Sequence, residues 1–425
     1  MKVVVAGYGL EGKESLKYWK SLGHEVTIAD EVDSIETPDG AKAILGKDAF
    51  SRLGDYDLVV RSPSINPDRL PYGDRLWSAT AEFFEKCPAP IIGVTGTKGK
   101  GTTCSVITEI LRAAGKTVHL LGNIGTPSLG ELSRIKPTDF VVYELSSFQL
   151  WELTNSPETA VVLLIEPDHL DVHNDYEDYL RAKGNIAKYQ KLEDVVVYHP
   201  SNPASARVAS ASPGKKVRYG TESTAHIYDG CVWYGDVKIC PVDEVALPGA
   251  HNLENICAAI TAVWRYVNDV AAIKSALKSF AGLPHHIEKV REVKGVTYYD
   301  DSFSSAPAAA TAAIRSFNVP TVVILGGYDK GADFGHLVDA LNEHTSIRAL
   351  LIGDCAPRIS KACDNGGFKN YTMAVTRDFR AIINKATEMA GGKGVVLLSP
   401  GCASFDMFKN FYERGDIFQE IVNSL

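Results

Sequence analysis

A glycine-rich segment with two lysines, residues 93–103, reads GVTGTKGKGTT and has the composition of a phosphate-binding loop. It follows the apolar run IIGV, and the apolar spacing of residues 105–114 after it predicts an amphipathic helix. In a strand–turn–helix of this kind, backbone amides and the helix N-terminus face the phosphates, and the lysine reaches the outer ones. The sequence therefore predicts an ATP site in which Lys100 contacts the terminal phosphates.

The residue after that lysine departs from the usual loop, where a Ser or Thr holds Mg²⁺. Gly101 stands there, and Thr102 and Thr103 follow it. We predict that the metal-binding hydroxyl has moved to Thr102, because a glycine without a Cβ can adopt backbone angles that turn the next side chain toward the phosphates. In the alternative, a water fills the ligand position, since Mg²⁺ readily keeps waters in its octahedral shell.

Two further polar side chains stand where predicted strands end, and in parallel sheets ligands gather at those ends. Glu144 ends the strand pattern DFVVYE, and His169 follows TAVVLLI. Each also fits a structural role, as a solvated acid or a satisfied histidine. Together with Lys100, the two residues predict a site for phosphate and metal. Lys183 lies in the helical stretch YLRAKGNIAKYQ, where a surface position is the default for a lysine.

A second glycine motif, GYGLEG at residues 7–12, follows the N-terminal strand pattern and matches GxGxxG. Asp30 ends the next strand, where dinucleotide folds place the acid that binds the ribose. Three interpretations fit the motif: an NAD site of an oxidoreductase, a tight turn without a ligand, or a site for a different nucleotide such as UDP. The motif itself does not choose among them.

Strand and helix patterns alternate along nearly the whole chain, which predicts an α/β protein of parallel sheets covered by helices. The linker-like CPAP at residues 87–90 and the segment GLPHH at residues 282–286 divide this alternation. We therefore predict three domains, which span residues 1–88, 89–281 and 282–425.

The composition limits partners and location. The 425 residues carry a formal net charge of −8 without a long basic run, which disfavours nucleic acid as a partner. No apolar stretch approaches the roughly 20 residues of a membrane helix, and the N-terminus lacks the layout of a signal peptide. The eight cysteines are scattered without a CxxC pair, which fits a reducing compartment. We expect a monomeric cytoplasmic protein without nucleic-acid or membrane partners.

Several segments resemble the Mur ligase family in their order and spacing, and most of all its glutamate-adding member. The resemblance covers nearly the whole chain, and its segments are GTKGK, GNIGTP (residues 122–127), ELSSFQL (144–150), DHLDVH (168–173), HNLEN (251–255), GLPH (282–285), GGYDKGADF (326–334) and SPGCASFDMFKNFYERG (399–415). It implies a Rossmann-like N-terminal domain that holds the UDP of a substrate, a central P-loop-type domain that binds ATP, and a Rossmann-like C-terminal domain that binds an amino acid.

The same resemblance implies an ATP-dependent ligase that adds glutamate, expected to be the D isomer, to UDP-N-acetylmuramoyl-L-alanine through an acyl phosphate. It implies catalytic roles for Lys100, Glu144, His169 and Lys183. The implied cofactor is Mg²⁺ at two sites, replaceable by Mn²⁺, and its ligands besides Thr102 are Glu144, His169 and a carbamylated Lys183. The expected ATP contacts are Gly96, Thr97, Lys98, Gly99, Lys100, Gly101, Thr102, Thr103, Asn255, His286 and Asp301. The expected contacts with the other substrates are Gly9, Leu10, Asp30, Asn123, His169, Ser305, Lys330, Ser404 and Phe411.

Three positions depart from the family pattern. Gly101 replaces a hydroxyl residue, Phe303 replaces a lysine, and His286 replaces an arginine. The last two changes remove permanent positive charges near anionic ligands, and Lys98 in the phosphate loop restores part of that charge.

These departures leave alternatives to the glutamate ligase. One is a protein with the ligase fold that binds its ligands without turnover. Another is a related ligase for a different amino acid or for L-glutamate. The NAD-dependent oxidoreductase is disfavoured, because the ATP-type loop and ELSSFQL have no role in it.

Overall fold

Strands and helices alternate along the chain, as the sequence predicts. The computed structural model describes residues 1–38, 40–123, 127–170, 172–247, 249–329, 331–344 and 346–425. These residues form two compact units, 1–281 and 282–425. The first unit contains both the N-terminal and the central domain predicted above, and the bounds of the three domains remain predictions. Among the described helices, none is long and apolar enough to cross a membrane.

The first unit begins with five parallel strands, which are β1 (Lys2–Ala6), β2 (Glu25–Asp30), β3 (Lys42–Leu45), β4 (Leu58–Arg61) and β5 (Leu76–Ser78). Their order in the sheet is β3–β2–β1–β4–β5, which is the Rossmann order without its sixth strand. The helices of this part are α1 (Leu10–Ser21) and α2 (Ala79–Lys86). Val3, Val4 and Val5 point to alternate faces, and all are at most 1% exposed, because both faces of a parallel sheet are covered.

A second parallel sheet follows, made of β6 (Ile91–Thr95), β7 (Val118–Gly122), β8 (Phe140–Glu144), β9 (Thr159–Val162), β10 (Val195–Tyr198) and β11 (Lys215–Arg218). Their order is β11–β10–β9–β6–β8–β7, so the phosphate loop leaves a central strand. The helices are α3 (Lys100–Ala113), α4 (Ser147–Leu150), α5 (Tyr176–Lys188), α6 (Pro203–Ser210), α7 (Ala250–Val263) and α8 (Val270–Ser279). The short strands expected after residue 201 form an antiparallel sheet of β12 (Ala225–Tyr228), β13 (Cys231–Tyr234) and β14 (Val237–Pro241).

The helix after the phosphate loop begins earlier than predicted. α3 starts at Lys100, whereas the apolar pattern becomes visible only near Ser105. The first turn consists of Gly101, Thr102 and Thr103 after the lysine, and these residues give no apolar period to read.

The strand predicted over TAVVLLI is shorter than its apolar run. β9 ends at Val162, and the next two residues run beside the phosphate loop. Leu163 donates its N–H to the carbonyl of Thr95 at 2.9 Å, and Thr97 donates to the carbonyl of Leu164 at 2.8 Å. The apolar run therefore extends beyond β9 because this segment is buried, although its hydrogen-bond pairing as a strand ends at Val162.

The second unit is a single sheet with helices on both faces. Its strands are β15 (Glu288–Val293), β16 (Val296–Asp300), β17 (Thr321–Gly326), β18 (Ile347–Ile352), β19 (Tyr371–Met373) and β20 (Gly394–Leu398). The sheet order is β15–β16–β20–β17–β18–β19, and β15 alone among these strands runs antiparallel to its neighbour. The helices are α9 (Pro307–Arg315), α10 (Gly335–Asn342), α11 (Ala356–Asn365), α12 (Phe379–Ala390) and α13 (Phe411–Asn423). This arrangement confirms the predicted α/β class.

Candidate active site

The phosphate loop turns sharply at Gly99 before α3. Gly99 has a left-handed backbone, with φ of +81°, which a residue with a side chain adopts only under strain. A Cβ at this position would also lie 2.3 Å from Oδ1 of Asn255 on α7. The loop therefore requires glycine here, and the fold brings Asn255, a predicted ATP contact, against the loop.

The two lysines of the loop differ in their surroundings. Nζ of Lys100 is half-buried and donates to the carbonyls of Gly96 at 3.2 Å and Thr97 at 3.0 Å, which an arriving phosphate would replace. Lys98 is exposed. The hydroxyl of Thr97 is engaged within the protein, because it lies 3.0 Å from the carbonyl of Glu166 and accepts from the N–H of that residue at 2.9 Å. Thr97 thus anchors the loop to the segment after β9.

Glu144 and Asn123 meet at adjacent strand ends. Oε1 of Glu144 accepts a hydrogen bond of 3.1 Å from Nδ2 of Asn123, and the side chain is 3% exposed. Oε2 is buried and, within the described residues, accepts no hydrogen bond. Burial raises the pKa of Glu144, while Lys100, Asn123 and Lys183 lower it. An oxygen left without a partner beside a phosphate loop fits a cation or its bound water.

Lys183 is not a surface residue, so the default interpretation of the sequence is wrong here. It is 2% exposed, and its Nζ donates to Oγ1 of Thr95 at 3.2 Å and to the carbonyl of Gly96 at 3.0 Å. Burial and then the nearby charge of Lys100 lower the pKa of Lys183 well below its usual value. A neutral amine beside the phosphate loop is the form that reacts as a nucleophile.

His169 lies in the segment that follows β9. Its backbone is left-handed, with φ of +54°, and its side chain is about half exposed, at 50%. Its ring centroid lies 4.9 Å from that of Phe148, and its Nε2 lies 3.6 Å from a carboxylate oxygen of Asp168. The histidine is thus held in place by ring packing and keeps a solvent-facing edge.

The N-terminal glycine turn is packed closely on itself. A Cβ on Gly12 would lie 2.1 Å from the carbonyl oxygen of Gly7, so the turn requires glycine there. The carboxylate of Asp30 accepts hydrogen bonds from the N–H groups of Tyr8 at 2.8 Å and Val32 at 3.0 Å. Beside these residues, Gly9 caps α1 and Leu10 is 79% exposed.

In the second unit, the two departures from the family pattern lie against each other. The ring centroids of His286 and Phe303 are 5.4 Å apart with an interplanar angle of 25°, and Phe411 meets Phe303 edge-on at 5.4 Å. Ser404 is buried, and Ser305 is partly exposed. Lys330 lies outside the described residues.

Asp301 is fully buried in the second unit, and its oxygens accept hydrogen bonds from the protein. Ser399 donates its hydroxyl at 2.6 Å, and Ile287 donates its N–H at 3.2 Å. Burial raises the pKa of Asp301 to about 7. The carboxylate links the loop before β15 to the end of β20 through these hydrogen bonds. Its contact with adenosine stays a prediction.

Comparisons with known proteins decide the family. The model of the Mur ligase middle domain matches residues 94–263, and that of the Mur ligase glutamate ligase domain matches residues 286–402. The UDP-N-acetylmuramoylalanine--D-glutamate ligase of Clostridium kluyveri is 35% identical, and the match covers 100% of this chain and 97% of that protein. The ligase of the same name from Acetivibrio thermocellus is 36% identical, with coverage of 100% and 96%.

This chain belongs to the Mur ligase family. It is an ATP-dependent ligase that forms amide bonds, as the sequence predicts. Solved structures show the same fold: the UDP-N-acetylmuramate-alanine ligase MurC of Thermotoga maritima aligns with a TM-score of 0.60, 18% identity and coverage of 100% of this chain and 99% of that one. The MurF ligase of Thermotoga maritima in complex with ADP aligns with a TM-score of 0.58, 18% identity and coverage of 99% and 95%.

Sequence reasoning missed a buried arginine in this Mur ligase that joins the two sheets of the first unit. Arg61, at the end of β4, donates from Nη2 to the carbonyl of Phe148 at 2.6 Å and to Oε2 of Glu152 at 2.7 Å. Its Nη1 donates to the carbonyl of Ile65 at 2.6 Å, within the loop that follows β4. An arginine that ends an apolar strand, in VVRSPS, was the available signal, since such a residue is buried only with partners.

The segment ELSSFQL makes two further contacts that the sequence did not reveal. Gln149 donates from Nε2 to Oε1 of Glu11 in the N-terminal glycine turn at 3.1 Å. The hydroxyl of Ser147 lies 2.9 Å from Nε2 of His173, whose Nδ1 lies 3.0 Å from Asp178 on α5. The family motif thus touches the glycine turn and α5 as well as carrying Glu144.

The backbone of Gly101 corrects one prediction. Gly101 lies in the regular first turn of α3, so the expectation that it adopts angles special to glycine is wrong. The left-handed residue of the loop is Gly99 instead. Thr103, one turn beyond Gly99, faces the same side as Asn255 and is fully buried, whereas Thr102 is partly exposed near the helix N-terminus. We therefore propose Thr102 as the hydroxyl that replaces the missing metal ligand.

Substitution of each threonine by valine tests this assignment. Thr102→Val is expected to raise the Mg²⁺ concentration for half-maximal activity by roughly five- to ten-fold, the effect of one lost polar contact. Thr103→Val should leave that Mg²⁺ concentration unchanged. It should also keep or raise the melting temperature, because Oγ1 of Thr103 is buried without a hydrogen-bond partner in the described part of the chain. Mild effects of both changes would show that water fills the position, and Gly101→Ser should then tighten Mg²⁺.

Proposed function

We propose that this Mur ligase joins D-glutamate to UDP-N-acetylmuramoyl-L-alanine in the cytoplasmic synthesis of peptidoglycan precursors, with ATP as the energy source. The observation that carries the proposal is the placement of Lys100 and Lys183 on the phosphate loop, with Glu144 and Asn123 paired at neighbouring strand ends, in a chain whose full length matches relatives named for that reaction. The printed names of those relatives supply the substrates.

The reaction takes two steps. A carboxylate oxygen of the muramoyl-alanine attacks the γ-phosphorus of ATP, a P–O bond forms, and the bond to the bridging oxygen breaks to release ADP. The amine of glutamate then attacks the acyl carbon, the C–N bond forms, and phosphate leaves with the C–O electron pair while the amine loses a proton. Both steps pass through anionic species, so positive charge near the phosphates dominates the catalysis. Lys100 supplies it at the outer phosphates.

The oxygen atoms at the strand ends fit Mg²⁺, which prefers oxygen ligands. Oε2 of Glu144 is buried and, among the described residues, lacks a hydrogen-bond partner, so it is available to the ion or to its water. Thr102, His169 and a carbamylated Lys183 complete the protein ligands of two sites, which Mn²⁺ would also suit. Bound Mg²⁺ would neutralise phosphate charge.

Lys183 becomes an oxygen ligand by reaction with carbon dioxide. Its neutral amine attacks the carbon, an N–C bond forms, one C–O electron pair moves to oxygen, and a proton leaves the nitrogen. The lowered pKa of Lys183 supports this proposal, because an ammonium has no lone pair to donate.

The N-terminal glycine turn is proposed to bind the UDP part of the substrate. The amides at the start of α1 suit the diphosphate, Asp30 lies beside the turn, and the exposed side chain of Leu10 offers an apolar face to the base. UDP is expected to slow hydrogen exchange of the amides in residues 7–12 and at Asp30, whereas NADH should not. Binding of NADH at micromolar concentration with protection of the same amides would favour the oxidoreductase instead.

Release of phosphate from ATP tests the whole function. With UDP-N-acetylmuramoyl-L-alanine present, D-glutamate should stimulate phosphate release and L-glutamate and other amino acids should stimulate it far less. A different preferred amino acid would make the chain a related ligase. Absence of ADP formation with every amino acid, despite binding of the muramoyl substrate, would identify a binding protein with the ligase fold.

A further inference from the structure

A buried arginine lies beneath the surface that carries Ser305 in the second unit. Arg414 of α13 is 1% exposed. Its Nε donates to Oγ of Ser302 at 2.9 Å, and its Nη2 donates to the carbonyl of Ser302 at 2.8 Å. Nη1 donates to the carbonyl of Cys402 at 3.1 Å, and Nη2 also reaches Oγ of Ser305 at 3.4 Å. All four partners are neutral oxygens.

The charge of this guanidinium has no direct counter-ion in the second unit as far as the structure describes it. No described carboxylate lies within ion-pair distance of Arg414; Asp406, Asp300 and Asp301 act on it only at longer range, and Asp300 is engaged by His285 at 2.7 Å. Burial lowers the pKa of Arg414 to about 10, so the side chain still carries its proton at neutral pH. Burial raises the pKa of Asp301 to about 7, which leaves that neighbour only partly ionised. A buried charge with neutral partners is costly to keep, which favours a role in binding an anion.

Ser305 connects this charge to the surface. Its hydroxyl oxygen accepts from Arg414, so its own O–H hydrogen is free to donate outward. Ser302 donates its hydroxyl to the carbonyl of Phe411 at 2.8 Å, which ties the first residue of α13 to the same group. The neighbouring Phe303 and His286 present stacked rings without a permanent charge. The positive potential at Ser305 therefore comes from the buried guanidinium of Arg414, which contacts the Ser305 hydroxyl.

We propose that Arg414 is a positioning residue that selects an acidic amino acid, by holding the Ser305 hydroxyl as a donor toward a carboxylate of the incoming substrate. This inference rests on the proposed function and on the family resemblance, which implies that Ser305, Lys330, Ser404 and Phe411 surround the glutamate. The guanidinium polarises the hydroxyl and stabilises the anion from within the protein, where a low dielectric strengthens the effect. An amide in place of that carboxylate is neutral and gains less from the charge.

The test compares glutamate with its two amides, glutamine and isoglutamine, as substrates of the full-length enzyme. Arg414→Gln is expected to raise the KM for glutamate roughly ten- to a hundred-fold, as for loss of a charge-assisted hydrogen bond, and to raise the KM for one of the amides far less. The preference for glutamate over that amide should therefore narrow, while the KM for ATP stays the same. Arg414→Lys, which keeps the charge, should retain much of the preference.

Two serine variants separate selection from folding. Ser305→Ala removes the outward donor without touching the other hydrogen bonds of Arg414, and should narrow the preference as Arg414→Gln does. Ser302→Ala removes two hydrogen bonds of the buried group but leaves the charge and Ser305, and should keep the preference. If Arg414→Gln does not fold, by circular dichroism, Ser305→Ala decides.

Unchanged preference in Ser305→Ala, with active wild-type enzyme, would overturn this inference alone. A wild-type enzyme that joins no isomer of glutamate would overturn the proposed function and this inference with it.

Discussion

Lys100→Ala is expected to lower the turnover number at least roughly a hundred-fold, the loss that follows removal of one preorganised charge from a transition state. Nζ of Lys100 donates to the carbonyls of Gly96 and Thr97, within the loop that would surround the phosphates. Alanine leaves the backbone of the loop intact, because the turn depends on Gly99. Steady-state phosphate release at saturating ATP measures the effect.

Lys98→Ala is the matched control for that change. Lys98 lies two residues earlier in the same loop and is exposed, so its charge is screened by solvent and its loss should raise the KM for ATP without a comparable fall in turnover. Nearly normal turnover in Lys100→Ala would show that this loop is not the ATP site. A larger loss in Lys98→Ala than in Lys100→Ala would exchange the roles of the two lysines.

Lys183→Ala is expected to be nearly inactive, and formate or acetate should restore part of its activity. The carbamate proposed on Lys183 supplies oxygen ligands, and a short carboxylic acid can occupy the space that alanine leaves. Burial lowers the pKa of Lys183 well below the usual value, which favours the amine that reacts with carbon dioxide over the ammonium. As pH falls, protonation should reverse carbamylation of Lys183. The wild-type enzyme should therefore lose more activity at low pH than the Lys183→Ala variant that formate or acetate has restored.

Lys188→Ala on the same helix provides the control for Lys183. Lys188 is exposed at the end of α5, so its removal should leave activity unchanged and give no response to formate. Nuclear magnetic resonance with ¹³C-labelled bicarbonate should show a carbamate signal in the wild-type protein that is absent from Lys183→Ala. Full activity of Lys183→Ala without added acid would contradict the assignment.

The polar side chains at the strand ends of the first unit could be predicted to lie together, because the carboxyl ends of parallel strands share one edge of the sheet. Glu144 ends β8, and Asn123 follows β7 beside it, so knowledge that the sheet is parallel already brings them to one edge. The burial of Lys183 could not be predicted from composition, because a lysine in a polar helix is normally solvated. Only the family resemblance indicated its role, and the structure supplies the physical reason in the packing of α5 on the phosphate loop.

Side-chain partners distant in sequence were beyond the reach of pattern reasoning. In the sequence, His286 and Phe303 are two separate losses of positive charge, yet their rings stack on each other. The sequence also does not indicate that the guanidinium of Arg414 is buried among neutral oxygens. The first turn of α3 could not be predicted from hydrophobic periodicity, because its glycine and threonine residues include no large apolar side chain.

Arg61 has a consequence for how the first unit unfolds. Its guanidinium belongs to the sheet of the glycine turn, while two of its partners, the carbonyl of Phe148 and the carboxylate of Glu152, belong to the sheet of the phosphate loop. Breaking a buried pair of this kind by removing one partner typically costs about 3–5 kcal/mol. We therefore expect the two sheets to melt together in one cooperative transition. The N-terminal sheet would then be a separate module in its strand topology, but it would not unfold independently of the second sheet.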